Sequence, residues 1–180
     1  MKIDAPELRE SRPTERAALL ALYAEAFPEE DLSKLLTDLL EMDGPKLSLV
    51  AVEGGAPVGH GFFTPCALKR PSGVETGVAA LLGPLAVASR RRRKGVGGVI
   101  VREGLTRLRI AGFRQVHVLG DPAYYRRFGF EPDPAVAPPF ELPADWAEAW
   151  RSLRLDDAAE RTGGVLIPPE PWMRRSLWTP

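Results

Sequence analysis

Two stretches near the beginning of the chain place apolar side chains at the spacing of an amphipathic helix. The first, ERAALLALYAEAF over residues 15–27, is followed by Pro28, which cannot continue a helix. The second, DLSKLLTDLLEM over residues 31–42, carries five leucines on one face before Asp43-Gly44-Pro45. The pattern therefore predicts two consecutive helices.

The next apolar segments have the length and composition of strands. Residues 47–53 and 57–66 read as a strand pair joined by a turn at Gly54-Gly55. Residues 77–87, GVAALLGPLAV, read as a longer buried strand with Gly83-Pro84 inside it. Because proline cannot donate to a strand ladder, we expect this strand to bulge or part from a neighbour there.

The second half of the chain alternates between the two periodicities. We predict a helix over 96–111, a strand over 114–119, a short helix over 121–128, a strand in the second half of the proline-rich segment 132–143, a helix over 144–153 and a last strand over 163–169. This order predicts an α/β fold, a mixed sheet with helices packed on it, in a single domain over residues 1–180.

Composition narrows the class of function. Basic and acidic residues number 24 each, and this balance argues against a nucleic-acid-binding protein. The single cysteine, Cys66, excludes an internal disulfide, and it forms no metal-binding pattern with the two histidines. The N-terminus has no apolar signal segment, and no run reaches the length of a membrane span. We expect a cytoplasmic protein with no metal and with neither nucleic acid nor membrane as partner.

The most specific local feature is RRRKGVGG between a strand and a helix, at residues 91–98. Glycines allow backbone N–H groups to approach a ligand, and a helix N-terminus adds unpaired donors and partial positive charge. This combination indicates a phosphate or pyrophosphate site, although a tight turn with a solvated basic face explains the loop equally well. The P-loop and dinucleotide glycine patterns are both absent.

Two ordered motifs make the chain resemble the GNAT superfamily of N-acetyltransferases. Arg92-Arg93-Lys94-Gly95-Val96-Gly97 matches its Q/R-x-x-G-x-G/A signature, and Tyr125-Arg126-Arg127-Phe128-Gly129-Phe130 matches its downstream Tyr-x-x-x-Gly-Phe. The resemblance implies the GNAT acyl-CoA N-acyltransferase fold, with a splayed, bulged central strand. We expect the core of the domain over residues 7–132 and a variable portion over 133–180 that completes the sheet.

The resemblance also implies acetyl-CoA as co-substrate. It places the pyrophosphate on the loop amides and the pantetheine arm along the bulged strand. Asp121 and Tyr124 complete the expected CoA-binding residues, which are Leu85, Ala86, Val87, Arg92, Arg93, Lys94, Gly95, Val96, Gly97, Gly98, Asp121 and Tyr124.

By motif position Tyr125 is the expected general acid that protonates the departing CoA thiolate; the alternative is that it only hydrogen-bonds the sulfur. Glu75 is a candidate base acting through water, and loss of the amine proton to solvent is the alternative.

The two histidines, His60 and His117, are each expected to be packed or hydrogen-bonded residues and not the general base. Tyr124 shares a helix face with Phe128, so we predict that Tyr124 is the core residue of the tyrosine doublet.

These expectations combine into one function. We expect an N-acetyltransferase that moves the acetyl group of acetyl-CoA to a primary amine, either a small molecule or a protein amine. The alternative is a non-catalytic acyl-CoA-binding sensor on the same fold. A homodimer remains open, with the four C-terminal tryptophans as one candidate surface.

Overall fold

A computed structural model describes residues 6–157 and 163–179 of the chain. These residues divide into two compact units. The first comprises the described residues up to Phe62 together with Pro84–Gly104, and the second comprises Phe63–Gly83 and the described residues from Leu105 onward. Within the described ranges, no helix is both long enough and apolar enough to cross a membrane.

The first unit combines helices with the first strands of the chain. Its helices are α1 (Arg16–Ala26), α2 (Ser33–Glu41) and most of α3 (Val96–Ile110). Its strands are β1 (Glu7–Glu10), β2 (Leu47–Glu53), the first half of β3 (Ala56–Arg70) and the end of β4 (Gly73–Val87). They are ordered β1-β2-β3-β4, with β1 antiparallel to β2. In the predicted leucine stripe of α2, Leu35, Leu36 and Leu39 are at most 2% exposed, whereas Leu32 and Leu40 are half-buried.

The second unit contains the rest of β3 and β4 and the later elements. These are β5 (Gln115–Leu119), α4 (Pro122–Tyr125), β6 (Glu131–Pro132), β7 (Val136–Ala137), β8 (Trp150–Arg154) and β9 (Gly164–Ile167). Strand β5 is parallel to β4 and antiparallel to β8, and β9 is antiparallel to β3. The nine strands of the described ranges thus belong to a mixed sheet, which confirms the predicted α/β class.

Three tryptophans form much of the core of the second unit. Trp150, Trp172 and Trp178 are at most 8% exposed, and Trp178 packs edge-on against both of the others. The Trp178 indole donates to the Trp172 carbonyl at 2.8 Å. The buried tryptophans of the C-terminal segment therefore serve packing.

Two sequence predictions of secondary structure were wrong, and one strand was missed. The segment 144–153 forms a 3-10 turn at Ala144–Ala149 and then strand β8, because pairing with β5 overrides its helical composition. The proline-rich segment contributes β7 in its first half, since Pro138 and Pro139 cannot donate to a ladder. The polar edge strand β1 was not predicted, because it lacks apolar alternation. Strands β3 and β4 also extend further toward each other than predicted.

Candidate active site

A glycine loop joins the end of β4 to α3. Its backbone turns through Arg93, at φ 59°, and Gly95, at φ 85°. The hydrogen bond that opens the helix runs from Val99 N to Gly95 O at 3.0 Å. The amides of residues 96–98 precede it and have no acceptor within the helix. The loop therefore presents N–H groups at the positive end of a 15-residue helix, an arrangement that binds phosphate.

Two glycines of β3 let this helix lie directly on the sheet. A Cβ added at Gly59 would fall 2.6 Å from Val96 Cγ1 and 2.9 Å from Ile100 Cδ1. At Gly61 it would fall 3.0 Å from Leu85 Cδ1 and 3.2 Å from Ile100 Cγ2. The Gly59 contacts are closer than real Cβ atoms make, and the Gly61 contacts are tight, so the position of the loop depends on the absence of a side chain at Gly59 above all.

Most of the basic residues before the glycines attach the loop to neighbouring elements. Arg90 and Arg91 pair with the Glu53 carboxylate at 3.2 Å and 3.1 Å. Arg92 donates to the carbonyl of the last residue of α1 at 2.8 Å. In the described part of the chain, the side chains of residues 93 and 94 are exposed and make no hydrogen bond or ion pair. Among the described residues of the run 90–94, Arg93 and Lys94 are therefore the two whose positive charge is available to a ligand.

The pairing of β4 with β5 ends before the strand does, as predicted. The β4–β5 ladder stops at the Leu81–His117 pair, although β4 continues to Val87. Gly83 follows with φ 141°, a conformation that other residues rarely adopt. The Pro84 carbonyl accepts a hydrogen bond of 2.8 Å from the Tyr23 hydroxyl, a side chain of α1. Beyond the ladder, β4 carries the predicted donor-binding residues 85–87.

Tyr125 ends the short helix α4 and is buried, at 8% exposure. Its ring lies against Gly120, where an added Cβ would be 2.4 Å from Tyr125 Cε2. Phe130 packs edge-on against the ring at a centroid distance of 5.7 Å. Burial, with smaller contributions from Tyr124 and Asp121, raises the pKa of Tyr125 well above its usual value near 10. The phenol is therefore protonated throughout the ordinary pH range.

The prediction for the other tyrosine of the doublet was wrong. Tyr124 is only half-buried, whereas Tyr125 is buried. Tyr124 does share a face with Phe128, at a ring distance of 5.4 Å, and the Arg127 guanidinium lies 4.5 Å from its ring. Tyr124 and Phe128 are both half-buried, so this face is not part of the fully buried core. Asp121 caps α4 by accepting from Ala123 N at 2.9 Å, as its position before the helix predicts.

Glu75 lies near the beginning of β4 and is paired with two arginines. Its carboxylate accepts from Arg70 at 2.9 Å and from Arg114 at 3.2 Å. Arg114 directly precedes β5, whereas Tyr125 follows the opposite end of that strand. A strand of five residues spans about 16 Å. The structure therefore does not bring Glu75 and Tyr125 together.

Neither histidine nor the cysteine is placed to act as a base or nucleophile. Both histidines are fully buried, and burial lowers the pKa of His60 to about 3 and that of His117 to about 4. His60 is hydrogen-bonded, and His117 stacks on Trp150 at 5.3 Å, which confirms the expected packed or bonded roles. Burial also raises the pKa of the Cys66 thiol.

Sequence reasoning missed the polar role of Tyr23. The helical pattern assigned this residue to the apolar stripe of α1, and the stripe is indeed buried there. Its hydroxyl nevertheless reaches both Pro84 and His60, at 2.8 Å and 3.0 Å. A tyrosine in place of a phenylalanine, with a histidine in a nearby apolar strand, was the available signal.

Comparisons with known proteins agree on the family. Residues 16–130 match the model of the acetyltransferase (GNAT) family. The chain is 34% identical over 154 residues to the uncharacterized N-acetyltransferase YjhQ of Escherichia coli K12, covering 83% of this chain and 78% of YjhQ.

Two solved structures are also similar. A crystal structure of the GNAT family N-acetyltransferase YhbS from Escherichia coli in complex with CoA is 30% identical, with a TM-score of 0.84, and the match covers 94% of this chain and 93% of that one. A GNAT family acetyltransferase from Brucella melitensis, in complex with acetyl-CoA, is 30% identical with a TM-score of 0.73, and the match covers 92% and 97%. The chain therefore belongs to the GNAT family of acetyltransferases and is an enzyme of the acyl-CoA-dependent N-acyltransferase class.

Proposed function

We propose that this enzyme transfers an acetyl group from acetyl-CoA to a primary amine by direct attack on the thioester. The observation that carries the proposal is the glycine loop, whose amides at residues 96–98 have no acceptor within the helix. CoA in the YhbS crystal structure and acetyl-CoA in the Brucella melitensis structure support this choice of donor.

The donor would occupy two adjacent parts of the first unit. Its pyrophosphate accepts from the loop amides and gains attraction from the exposed side chains of Arg93 and Lys94. Its pantetheine arm extends β4 along Leu85–Val87, where the ladder with β5 has already ended. A backbone N–H at this edge would polarise the thioester carbonyl and stabilise the negative charge that develops on its oxygen.

The reaction needs no covalent enzyme intermediate. The amine lone pair forms a C–N bond to the thioester carbon, and the tetrahedral intermediate collapses as its C–S bond breaks. The amine nitrogen loses one proton, and the CoA thiolate gains one. The products are an N-acetyl amide and free CoA thiol.

We assign the thiolate proton to Tyr125. A phenol near pKa 10 is already a weaker acid than a thiol near 8.5, and burial of Tyr125 widens that gap. Proton transfer as a separate step would therefore be uphill. Tyr125 donates a hydrogen bond to the sulfur, and the proton moves as charge develops there. The phenolate then takes a proton from water, which balances the proton that the amine releases.

The amine proton leaves to water in this mechanism. The two buried histidines are poor candidates, because their neutral imidazoles have no exposed surface. Glu75 is committed to two arginines and lies at the other end of β5 from Tyr125. The mechanism therefore assigns no side chain as general base.

Two measurements test the proposal. Calorimetry should show binding of acetyl-CoA in the micromolar range, and no binding at high micromolar concentrations would contradict the donor. A panel of amino acids, polyamines, aminoglycosides and lysine peptides, assayed for released CoA thiol, should then identify acceptors. Acetyl-CoA binding without turnover on any amine would instead favour the sensor function.

A further inference from the structure

A continuous series of hydrogen bonds runs through the first unit and ends at Pro84 in β4. Ser11 Oγ lies 2.6 Å from Ser48 Oγ, which lies 2.8 Å from His60 Nε2. On the other side of the ring, His60 Nδ1 lies 3.0 Å from the Tyr23 hydroxyl, which lies 2.8 Å from the Pro84 carbonyl oxygen. His60 and Tyr23 are at most 2% exposed, so bulk water does not replace these bonds.

The chemistry of the terminal groups fixes which partner donates in each of these hydrogen bonds. Pro84 has no N–H, and its carbonyl oxygen can only accept. The Tyr23 hydroxyl has one proton, and its 2.8 Å contact to Pro84 is shorter than those to His60 Nδ1 and the His60 carbonyl, at 3.0 Å and 3.4 Å. Tyr23 therefore donates to Pro84 and accepts from Nδ1–H. The neutral imidazole then accepts at Nε2 from Ser48.

The segment that these hydrogen bonds reach has β3 as a strand neighbour, and the β4–β5 pairing ends before it. It follows Gly83, at φ 141°, and lies beyond Leu81, the last β4 residue paired with β5. Because Pro84 lacks an amide hydrogen, its carbonyl is the only backbone group through which that residue can be held. Tyr23 supplies that bond from α1.

We propose that Tyr23, His60 and Ser48 are positioning residues, which hold the Pro84 carbonyl and thereby the Leu85–Val87 edge on which the donor binds. The inference rests on the proposed function for its donor-binding edge. The contrast with His117 supports it: neither ring nitrogen of that equally buried histidine has a hydrogen-bond partner in the described structure, whereas both of His60 do.

The tautomer of His60 is the first test, and it needs no ligand. Nitrogen-15 NMR of the full chain should show His60 protonated at Nδ1 and unprotonated at Nε2. The chain has two histidines, so a His117→Asn variant assigns the signals. A proton on Nε2 instead would turn the Tyr23 hydroxyl toward His60, leave the Pro84 carbonyl without its donor and overturn the inference.

Acetyl-CoA affinity is the second test. Tyr23→Phe removes the donor to Pro84 and keeps the ring, which stacks on Phe27. Losing such a bond should weaken acetyl-CoA binding by about two- to tenfold in calorimetry. Ser48→Ala should also weaken acetyl-CoA binding, and it should shift the His60 tautomer. Ser48→Thr keeps the hydroxyl, so it should retain the wild-type affinity and the wild-type tautomer. Ser152→Ala, a serine-to-alanine change in β8, should leave both readouts unchanged.

The outcomes separate this inference from the proposed function. A folded Tyr23→Phe variant with wild-type affinity and KM for acetyl-CoA overturns the inference alone. If that variant does not fold, an unchanged affinity in Ser48→Ala does the same. A wild-type protein that binds no acetyl-CoA overturns the proposed function, and the inference with it, even where the His60 tautomer is as expected.

Discussion

At the scale of single residues, the tyrosine doublet depends on a neighbouring glycine. Tyr124 and Tyr125 point in different directions because adjacent helical residues lie about 100° apart. The ring of Tyr125 occupies the space that any side chain at position 120 would need. The orientation of the proposed proton donor therefore depends on Gly120 as well as on α4.

Tyr125→Phe tests the proton donor directly. The change removes the hydroxyl and keeps the buried ring, so we expect kcat to fall by about 10²- to 10⁴-fold. Acetyl-CoA affinity by calorimetry should stay within about twofold, because the loop and the β4 edge are untouched. Unchanged turnover would remove Tyr125 from the chemistry.

Gly120→Ala should act through Tyr125. The new methyl group would lie 2.4 Å from Cε2, so the ring must move, and such overpacking destabilises by about 1–3 kcal/mol. We expect lower turnover in the wild-type background and little further loss in the Tyr125→Phe background, because the two changes share one target. Equal losses in both backgrounds would show that Gly120 acts elsewhere.

At the scale of elements, the proposed donor site depends on the packing of α3 against β3. The helix provides the amides, and the glycines of β3 allow it to approach the sheet closely enough for Val96 and Ile100 to be buried. The arginines before the loop attach it to Glu53 and to the end of α1. The proposed anion site thus depends on several elements, although a single sequence motif was enough to suggest it.

Gly59→Ala should displace α3. We expect a loss of stability of about 1–3 kcal/mol in urea denaturation, together with weaker acetyl-CoA binding, because the methyl group meets Val96 and Ile100. Adding Val96→Ala removes the closest atom, Cγ1, and should recover part of the loss. A Gly59→Ala protein as stable as wild type would contradict this packing.

At the scale of the whole molecule, two fully buried histidines should make folding sensitive to acid. Both have pKa values lowered by burial, so below about pH 6.5 the unfolded chain binds protons that the folded chain does not. Stability is therefore lost as pH falls, by up to about 1.4 kcal/mol per pH unit for each histidine. For His117 this loss should level off near pH 4, where the folded state also takes up the proton.

Denaturation at pH 7, 6 and 5 measures this effect. Wild-type stability should decline over the series, and His117→Phe, which keeps an aromatic ring against Trp150, should decline less steeply. Apart from Asp133, whose carboxylate lies 3.7 Å from His117 Nδ1, the carboxylates have the same surroundings in both proteins, so the difference in slope reports on His117 together with this partner. Parallel slopes would show that His117 takes up its proton equally in both states.

Local pattern was sufficient for much of this protein. Apolar periodicity located α1, α2 and α3, and the glycine loop and the Tyr-x-x-x-Gly-Phe motif were enough to suggest the family. These features are short-range, since a few consecutive residues specify a helix, a turn or a loop at a helix start. The prediction for the segment of β8 was wrong for the opposite reason. The conformation of this strand comes from pairing with β5, which lies more than thirty residues earlier in the chain.

The features of the candidate site can likewise be separated into those set by local sequence and those set by tertiary contacts. Sequence alone determined the glycines of the loop that we propose binds the donor, the capping of α4 and the identity of Tyr125 within its motif. Tertiary structure alone decided that Tyr125 rather than Tyr124 is buried, that Glu75 is held by two arginines, and that Tyr23 joins His60 to the Pro84 carbonyl. The reason is physical: burial, pKa and hydrogen-bond partners depend on groups that are distant in sequence and close only after the chain has folded.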